Sequence, residues 1–167
     1  MNLESLISDN MRDIPPSPIR KFFDIVKTME GAISLGIGEP DFVTPWHIRD
    51  AAISSINNGE TSYTANAGTP ELRNAISRYL NRRFGLEYDI SQIIVTVGAS
   101  EAIDLAMRAL INPGDEVIIP DPSYISYAPN VRLVYGRAVP LPTYASDGFS
   151  ITPENLKKAI TPRTKAL

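Results

Sequence analysis

Residues 95–110 read VTVGASEAIDLAMRAL. Branched, strand-favouring residues run up to Val97 and break at Gly98-Ala99-Ser100. They give way to Ala102, Leu105, Ala106 and Ala109 at helical spacing. A strand that turns directly into a helix through small residues is the junction from which parallel sheets are built. The first-turn N–H groups of such a helix have no internal acceptor, and the positive end of its dipole lies beside them. The junction therefore suits an anion such as phosphate, with Gly98 admitting close approach and the Ser100 hydroxyl adding a hydrogen bond. The same residues serve equally as a plain helix start capped by Ser100, with no ligand at all.

Outward from this point the alternation continues. Thr44-Pro45 reads as an N-cap and first-turn proline, followed by Ile48, Ala52 and Ile56 until Gly59 closes the helix. Thr69-Pro70-Glu71 opens a second helix carrying Leu72, Ala75, Ile76, Tyr79 and Leu80. Ile93–Val97 predicts a short buried strand, and the helix after it spans about Ser100 to Ile111. Asn112-Pro113-Gly114-Asp115 has proline and glycine where a type II turn requires them. Val117–Ile119 and Ala138–Leu141 predict further strands, Thr152-Pro153-Glu154 opens a helix through Ile160, and Thr164–Leu167 begins another strand. Strands alternating with helices predict an α/β fold, a mainly parallel sheet flanked by helices. Ahead of this lies a leader broken by Pro15, Pro16 and Pro18, then a short amphipathic helix at about 19–29 marked by Ile19, Phe22, Phe23, Ile25 and Val26. Such an arm packs on another surface. The last strand has only begun at Leu167, and a three- or four-stranded sheet left with exposed edges predicts a truncated part of a longer protein.

The composition narrows the function classes. Sixteen Lys and Arg against 19 Asp and Glu give a net charge of −3, without the basic face of a nucleic-acid binder. With no cysteine there is no disulfide framework, thiol nucleophile or cysteine zinc site. No stretch reaches the ~20 apolar residues of a membrane span, and the N-terminus lacks the apolar core of a secretory signal. A soluble, cytoplasmic protein is expected.

Other motifs compete at the same sites. Gly98-Ala99-Ser100-Glu101-Ala102 approaches the G-x-S-x-G elbow of serine hydrolases, but the only histidine, His47, lies upstream and Ala102 replaces the final glycine. Gly36-Ile37-Gly38-Glu39-Pro40-Asp41 lacks the third glycine of a dinucleotide fingerprint, and no phosphate-binding G-x-x-x-x-G-K-[ST] occurs. Asp121-Pro122-Ser123-Tyr124 follows the second strand directly. Because successive parallel strands end at the same edge, Tyr124 is expected beside the Gly98 turn, where an aromatic ring suits a flat, phosphorylated cofactor. Plain packing is the other role open to Tyr124, and His47 reads as structural.

Five segments together, LGIGEPDFVTP (35–45), TSYTANAGTPELRNAI (61–76), VTVGASEAIDLA (95–106), NPGDEVIIPDPSY (112–124) and TPRTKAL (161–167), closely resemble the class I/II aminotransferases. These are pyridoxal-phosphate enzymes of the aspartate aminotransferase fold, and the resemblance covers the chain from about Ile19 onward. It implies that residues 36–167 form an incomplete large, cofactor-binding domain, and that residues 1–35 are an arm belonging to the small domain.

The resemblance also implies roles for single residues. Ala99 and Ser100 match the pair that binds the cofactor phosphate. Tyr124 matches the ring stacked on the pyridine. Tyr63 matches a tyrosine that reaches across a homodimer to the partner's phosphate, and Gly38 matches a backbone amide that meets the substrate carboxylate. The implied reaction moves an amino group from an L-amino acid to a 2-oxo acid on pyridoxal 5'-phosphate; lyases and synthases share these motifs. The Schiff-base lysine of the family comes later than Leu167, and Lys21, Lys27, Lys157, Lys158 and Lys165 stand in no matching context. The 167 residues alone are thus expected to be inactive. A non-catalytic binding or interaction module built on the same half-fold is the alternative, with a serine hydrolase using Ser100 behind it.

Overall fold

The structure, a computed structural model, describes residues 3–12, 14–16, 25, 26, 29, 31, 33, 38 and 40–167. Ile19, Phe22 and Phe23 of the predicted leader helix lie outside these residues, whereas Ile25 and Val26 are helical. The helices are α1 (Asp9–Arg12), α2 (Trp46–Asn57), α3 (Pro70–Phe84), α4 (Gly98–Leu110), α5 (Tyr127–Leu133) and α6 (Pro153–Ala159). The strands are β1 (Glu116–Asp121), β2 (Arg137–Pro142) and β3 (Thr164–Ala166). By internal packing the chain divides into two units, Met1–Ser17 with Val97–Leu167, and Pro18–Thr96.

In the first unit the strands form a parallel sheet in the order β2-β1-β3, with helices between successive strands. β1 is central and buried from Glu116 through Ile119, so its continuous apolar run is what a strand covered on both faces requires. Ile111, Val117, Ile119 and Val131 form the core cluster, with Met107 of α4 and Ala138 of β2 packed against it. The turn before β1 forms as its residues demand. Asp115 donates its N–H to the Asn112 carbonyl at 3.0 Å, and Gly114 takes φ +86°. The Asp115 carboxylate then accepts from the Asn112 N–H at 2.9 Å.

Glu116 anchors the sheet from its first strand position. Its carboxylate is almost fully buried, yet it accepts from the Thr161 hydroxyl (2.6 Å), from Arg163 (3.0 Å) and from Arg137 (3.3 Å). The Thr161 hydrogen bond, with Arg163 and Arg137 behind it, holds its pKa below the ordinary carboxylate value. One side chain thus joins β1 to the start of β2 and to the turn leading into β3.

In the second unit α3 carries a side-chain cap, Thr69 accepting from the Leu72 N–H, and it ends at Gly85 in the left-handed conformation. Asp89 and Gln92 form a capping box around a short 3-10 turn, Ile90–Gln92. Arg73 of α3 donates to the Ile90 carbonyl at 3.1 Å and fixes that turn on the helix.

Three local expectations are corrected. The predicted strand at Ile93–Val97 is not a strand. Ile93 has extended backbone and is buried, but the Val95 N–H goes to the Ala67 carbonyl at 3.0 Å, and among the described residues no ladder forms there. Extended residues become sheet only beside a neighbouring strand. At α2 the N-cap is Pro45 rather than Thr44, and no side chain caps it. α4 starts at Gly98, two residues earlier than expected, which puts Ser100 inside the first turn and removes its capping role. The sequence reading had no helix at α5, where Pro129 occupies the third helical position and its missing N–H costs nothing.

Candidate cofactor site

The site is built on α4. Gly98 takes φ +80°, a left-handed conformation that lets the chain swing from Val97 straight into the helix. The N-cap is Val97, whose apolar side chain accepts nothing, so no side chain caps this helix. By contrast α3 and α6 are both capped, by Thr69 and Thr152. The Glu101 carboxylate turns back to accept the Val97 N–H. The N–H groups of Ala99 and Ser100 lie where an α-helix provides no acceptor of its own.

The strand β1 ends at Asp121, and the cis Asp121–Pro122 bond leads through Ser123 to Tyr124. Tyr124 arrives beside Ser100 of α4 as expected, although the extended segment leading into α4 is not a strand of the sheet. The hydroxyls of Ser126 and, secondarily, Ser100 donate to its phenolic oxygen and draw its pKa below the ordinary tyrosine value. The ring is half exposed and meets Tyr127 edge to face, with centroids 5.4 Å apart at 81°.

Ala99, Ser100 and Tyr124 thus come together in one unit. Tyr63 and Gly38 belong to the other. Tyr63 is fully exposed, and at Gly38 an added Cβ would meet nothing within 4 Å. Reading the sequence alone misses Ser126, Tyr127 and Glu101. Of these only Glu101 left a trace, a carboxylate four residues into a helix start. His47 stacks edge to face on its neighbour Trp46, and among the described residues no group of three or more His, Cys, Asp or Glu could hold a metal ion. No described helix is long and apolar enough to cross a membrane.

Comparison with known proteins decides the lineage. Residues 30–167 match the family model of aminotransferase class I and II. The chain belongs to the class I and II aminotransferases. It is 45% identical over 162 residues to an aspartate aminotransferase of Pyrococcus abyssi, covering 96% of this chain and 42% of that protein. It is 41% identical to aromatic-amino-acid aminotransferase 2 of Thermococcus litoralis, with the same coverages. An aspartate aminotransferase structure from Thermus thermophilus, solved with maleate, superposes with a TM-score of 0.89 at 38% identity, over 96% of this chain and 43% of that one. The chain therefore spans about two-fifths of the length of these relatives. The sheet of parallel strands flanked by helices is that of this aminotransferase fold.

Members of this family use pyridoxal phosphate, and the residues present fit it. An uncapped, glycine-entered helix start offers donors to a phosphate, Ser100 adds a hydroxyl, and a half-exposed tyrosine ring stands alongside.

Proposed function

We propose that the full-length protein transfers an amino group from an L-amino acid to a 2-oxo acid, 2-oxoglutarate being the expected acceptor, with pyridoxal 5'-phosphate as cofactor. The observation that carries this reading is the meeting of Tyr124 and Ser100 at a long helix start that no side chain caps. When bound, the cofactor supplies an aldehyde that receives the amino group and a protonated ring that draws electrons from the substrate Cα.

The chain's own residues do the holding. The Ala99 and Ser100 N–H groups and the Ser100 hydroxyl donate to the phosphate, in an orientation already set by the helix, so little reorganisation accompanies binding. The Tyr124 ring covers one face of the pyridine and excludes water from it. Tyr63, fully exposed here, reaches the phosphate bound by the partner in a homodimer. The Gly38 N–H donates to the substrate carboxylate. The Schiff-base lysine comes from the remainder of the full-length protein, so residues 1–167 by themselves do not turn over substrate. In this reading residues 1–35 belong to the small domain and residues 36–167 to the large one, in a cytoplasmic enzyme.

The test is made on the full-length protein. It should take up pyridoxal phosphate with a new absorption band and transfer amino groups from some member of a panel of L-amino acids to 2-oxoglutarate. Relatives acting on aspartate and on aromatic amino acids both lie near it, so the panel includes both kinds. Absence of both the band and the transfer overturns the reading. Loss elsewhere of substituent groups from the amino acid, without transfer, would make it a lyase of the same fold.

A further inference from the structure

Thr143 is a polar residue at an apolar position. It lies just past the end of β2, and the alternation that buries Leu141 continues to it: Pro142 and Tyr144 are exposed, whereas Thr143 is only 8% exposed. A buried hydroxyl requires a partner, and the one that Thr143 meets is on β1. Its N–H donates to the Asp121 carbonyl at 2.8 Å, and its hydroxyl donates to the same oxygen at 3.1 Å. A carbonyl oxygen has two lone pairs, so a single residue engages both. Valine here would keep the burial and the first bond. The hydroxyl adds a second tie to one backbone atom, in the last residue of β1.

That atom stands where the chain leaves the sheet for Tyr124. Pro122 has no N–H to offer, and the next backbone hydrogen bond along the loop is accepted by Tyr124 itself, from the Tyr127 N–H at 3.1 Å. The main chain is therefore held at two points, the Asp121 carbonyl and the Tyr124 carbonyl. A cavity of about 350 Å³ opens beside the loop, lined by Asp121, Ser123 and Tyr124 together with Ala128 and Arg132 of α5. Packing alone thus leaves the loop room to shift. Resting on the cofactor site proposed above, we propose that Thr143 is a positioning residue: by tying the Asp121 carbonyl with both its N–H and its hydroxyl, it sets where the chain leaves β1 and so holds the Tyr124 ring in place for the cofactor. Thr143 acts through Asp121 and touches no cofactor itself. A ring placed before binding does not have to be ordered at each encounter.

The experiment uses the full-length protein carrying 3-fluorotyrosine, with the Tyr124 line assigned by its loss in Tyr124→Phe. In the cofactor-free protein, Thr143→Val should shift and broaden the Tyr124 fluorine-19 line, while the lines of Tyr79 and Tyr88, in the other unit, stay in place. Thr143→Ser, which keeps the hydroxyl, should leave the Tyr124 line unmoved. Thr143→Val should also weaken pyridoxal-phosphate binding by about fivefold, the scale of ordering one side chain at a binding site, and Thr143→Ser should not. In a Tyr124→Ala background, where no ring is left to place, Thr143→Val should have no further effect. An unmoved Tyr124 line in Thr143→Val overturns the tie. So does an equal loss of binding in Thr143→Val and Thr143→Ser, or an undiminished loss in the Tyr124→Ala background. If the line moves as expected but the unaltered protein takes up no pyridoxal phosphate, the tie stands and the cofactor reading falls. Thr143→Val keeps the side chain's size and its backbone hydrogen bond, so the fold persists, which circular dichroism verifies. Thr143→Ala, which also lacks the hydroxyl, should move the line in the same way.

Discussion

At the residue scale, the hydroxyl of Ser100 and the carboxylate of Glu116 illustrate two kinds of polar group. Ser100 is accessible and shared between a tyrosine and the place offered to a phosphate. Its replacement in Ser100→Ala should weaken pyridoxal-phosphate binding by about tenfold, the worth of a hydrogen bond to a charged acceptor, as read by equilibrium titration of the full-length protein. Retention of full affinity would show that the backbone donors hold the phosphate alone. Glu116 serves the fold. Its folded-state pKa is depressed below the ordinary 4.5, so it binds its proton more weakly folded than unfolded. Its stabilising effect is then fully present above about pH 4.5 and is lost as pH falls through the lower, folded value. Glu116→Gln should lower stability above about pH 4.5 and so move the acid-unfolding midpoint to higher pH, and it should flatten the fall of stability between about pH 4.5 and the lower, folded value. An acid-unfolding curve of unaltered slope would dissociate Glu116 from this role. The Ser100–Tyr124 meeting was expected from the sequence through shared strand ends, yet Ile93–Val97 pairs with no strand among the described residues, so only the β1 end carries that argument. The Glu116 cluster was not legible: Thr161 and Arg163 lie more than forty positions away, and no periodicity links them to it.

Elements were legible where their signals are local. Thr69 and Thr152, each ahead of a proline, mark helix starts that the structure reproduces, and Thr152 accepts from the Asn155 N–H at 3.2 Å. Thr152→Ala should therefore cost about 1 kcal/mol of stability in chemical denaturation. Where a signal depends on a neighbour, reading fails. Ile93–Val97 has strand composition but no paired strand among the described residues, and α5, with Pro129 in its first turn, left no signal that the sequence reading used. Gly136 is another position whose meaning appears only on packing. It follows α5 and leads into β2, and a Cβ there would stand 2.7 Å from Ile111 Cγ2 and 2.9 Å from Val131 Cγ1, both core side chains. The Val131 carbonyl, 3.1 Å away, blocks retreat. Gly136→Ala should destabilise by about 1–3 kcal/mol through overpacking. A denaturation midpoint equal to that of the unaltered protein would mean that α5 moves away from β2 more easily than its packing implies.

For the whole molecule, the decisive quantity is apolar surface left without a cover. The spacing of Ile48, Ala52 and Ile56 predicted a face for α2, and the helix formed over Trp46–Asn57, but none of its residues is buried. Trp46 is 71% exposed, Ile53 57% and Ile56 67%. Periodicity tells which side of a helix seeks apolar company; it does not tell whether that company lies within the same 167 residues. The relatives are more than twice as long, and exposed apolar patches of this kind mark surfaces that bind something. The sheet adds to this, since β2 and β3 both lie at its edges. Residues 1–167 expressed alone should therefore bind a hydrophobic dye such as anilinonaphthalene sulfonate and sediment as associated species. Replacing Ile53 and Ile56 by glutamate should lower both signals without loss of helical circular dichroism, because neither side chain contributes to a core in this chain. In the full-length protein the same pair of substitutions should act in the opposite sense, lowering stability or breaking the homodimer proposed above, if the surface is covered there. A 167-residue chain that sediments as a single monomer and takes up no dye would show that α2 finds its cover within these residues, and that its apolar side is no interface.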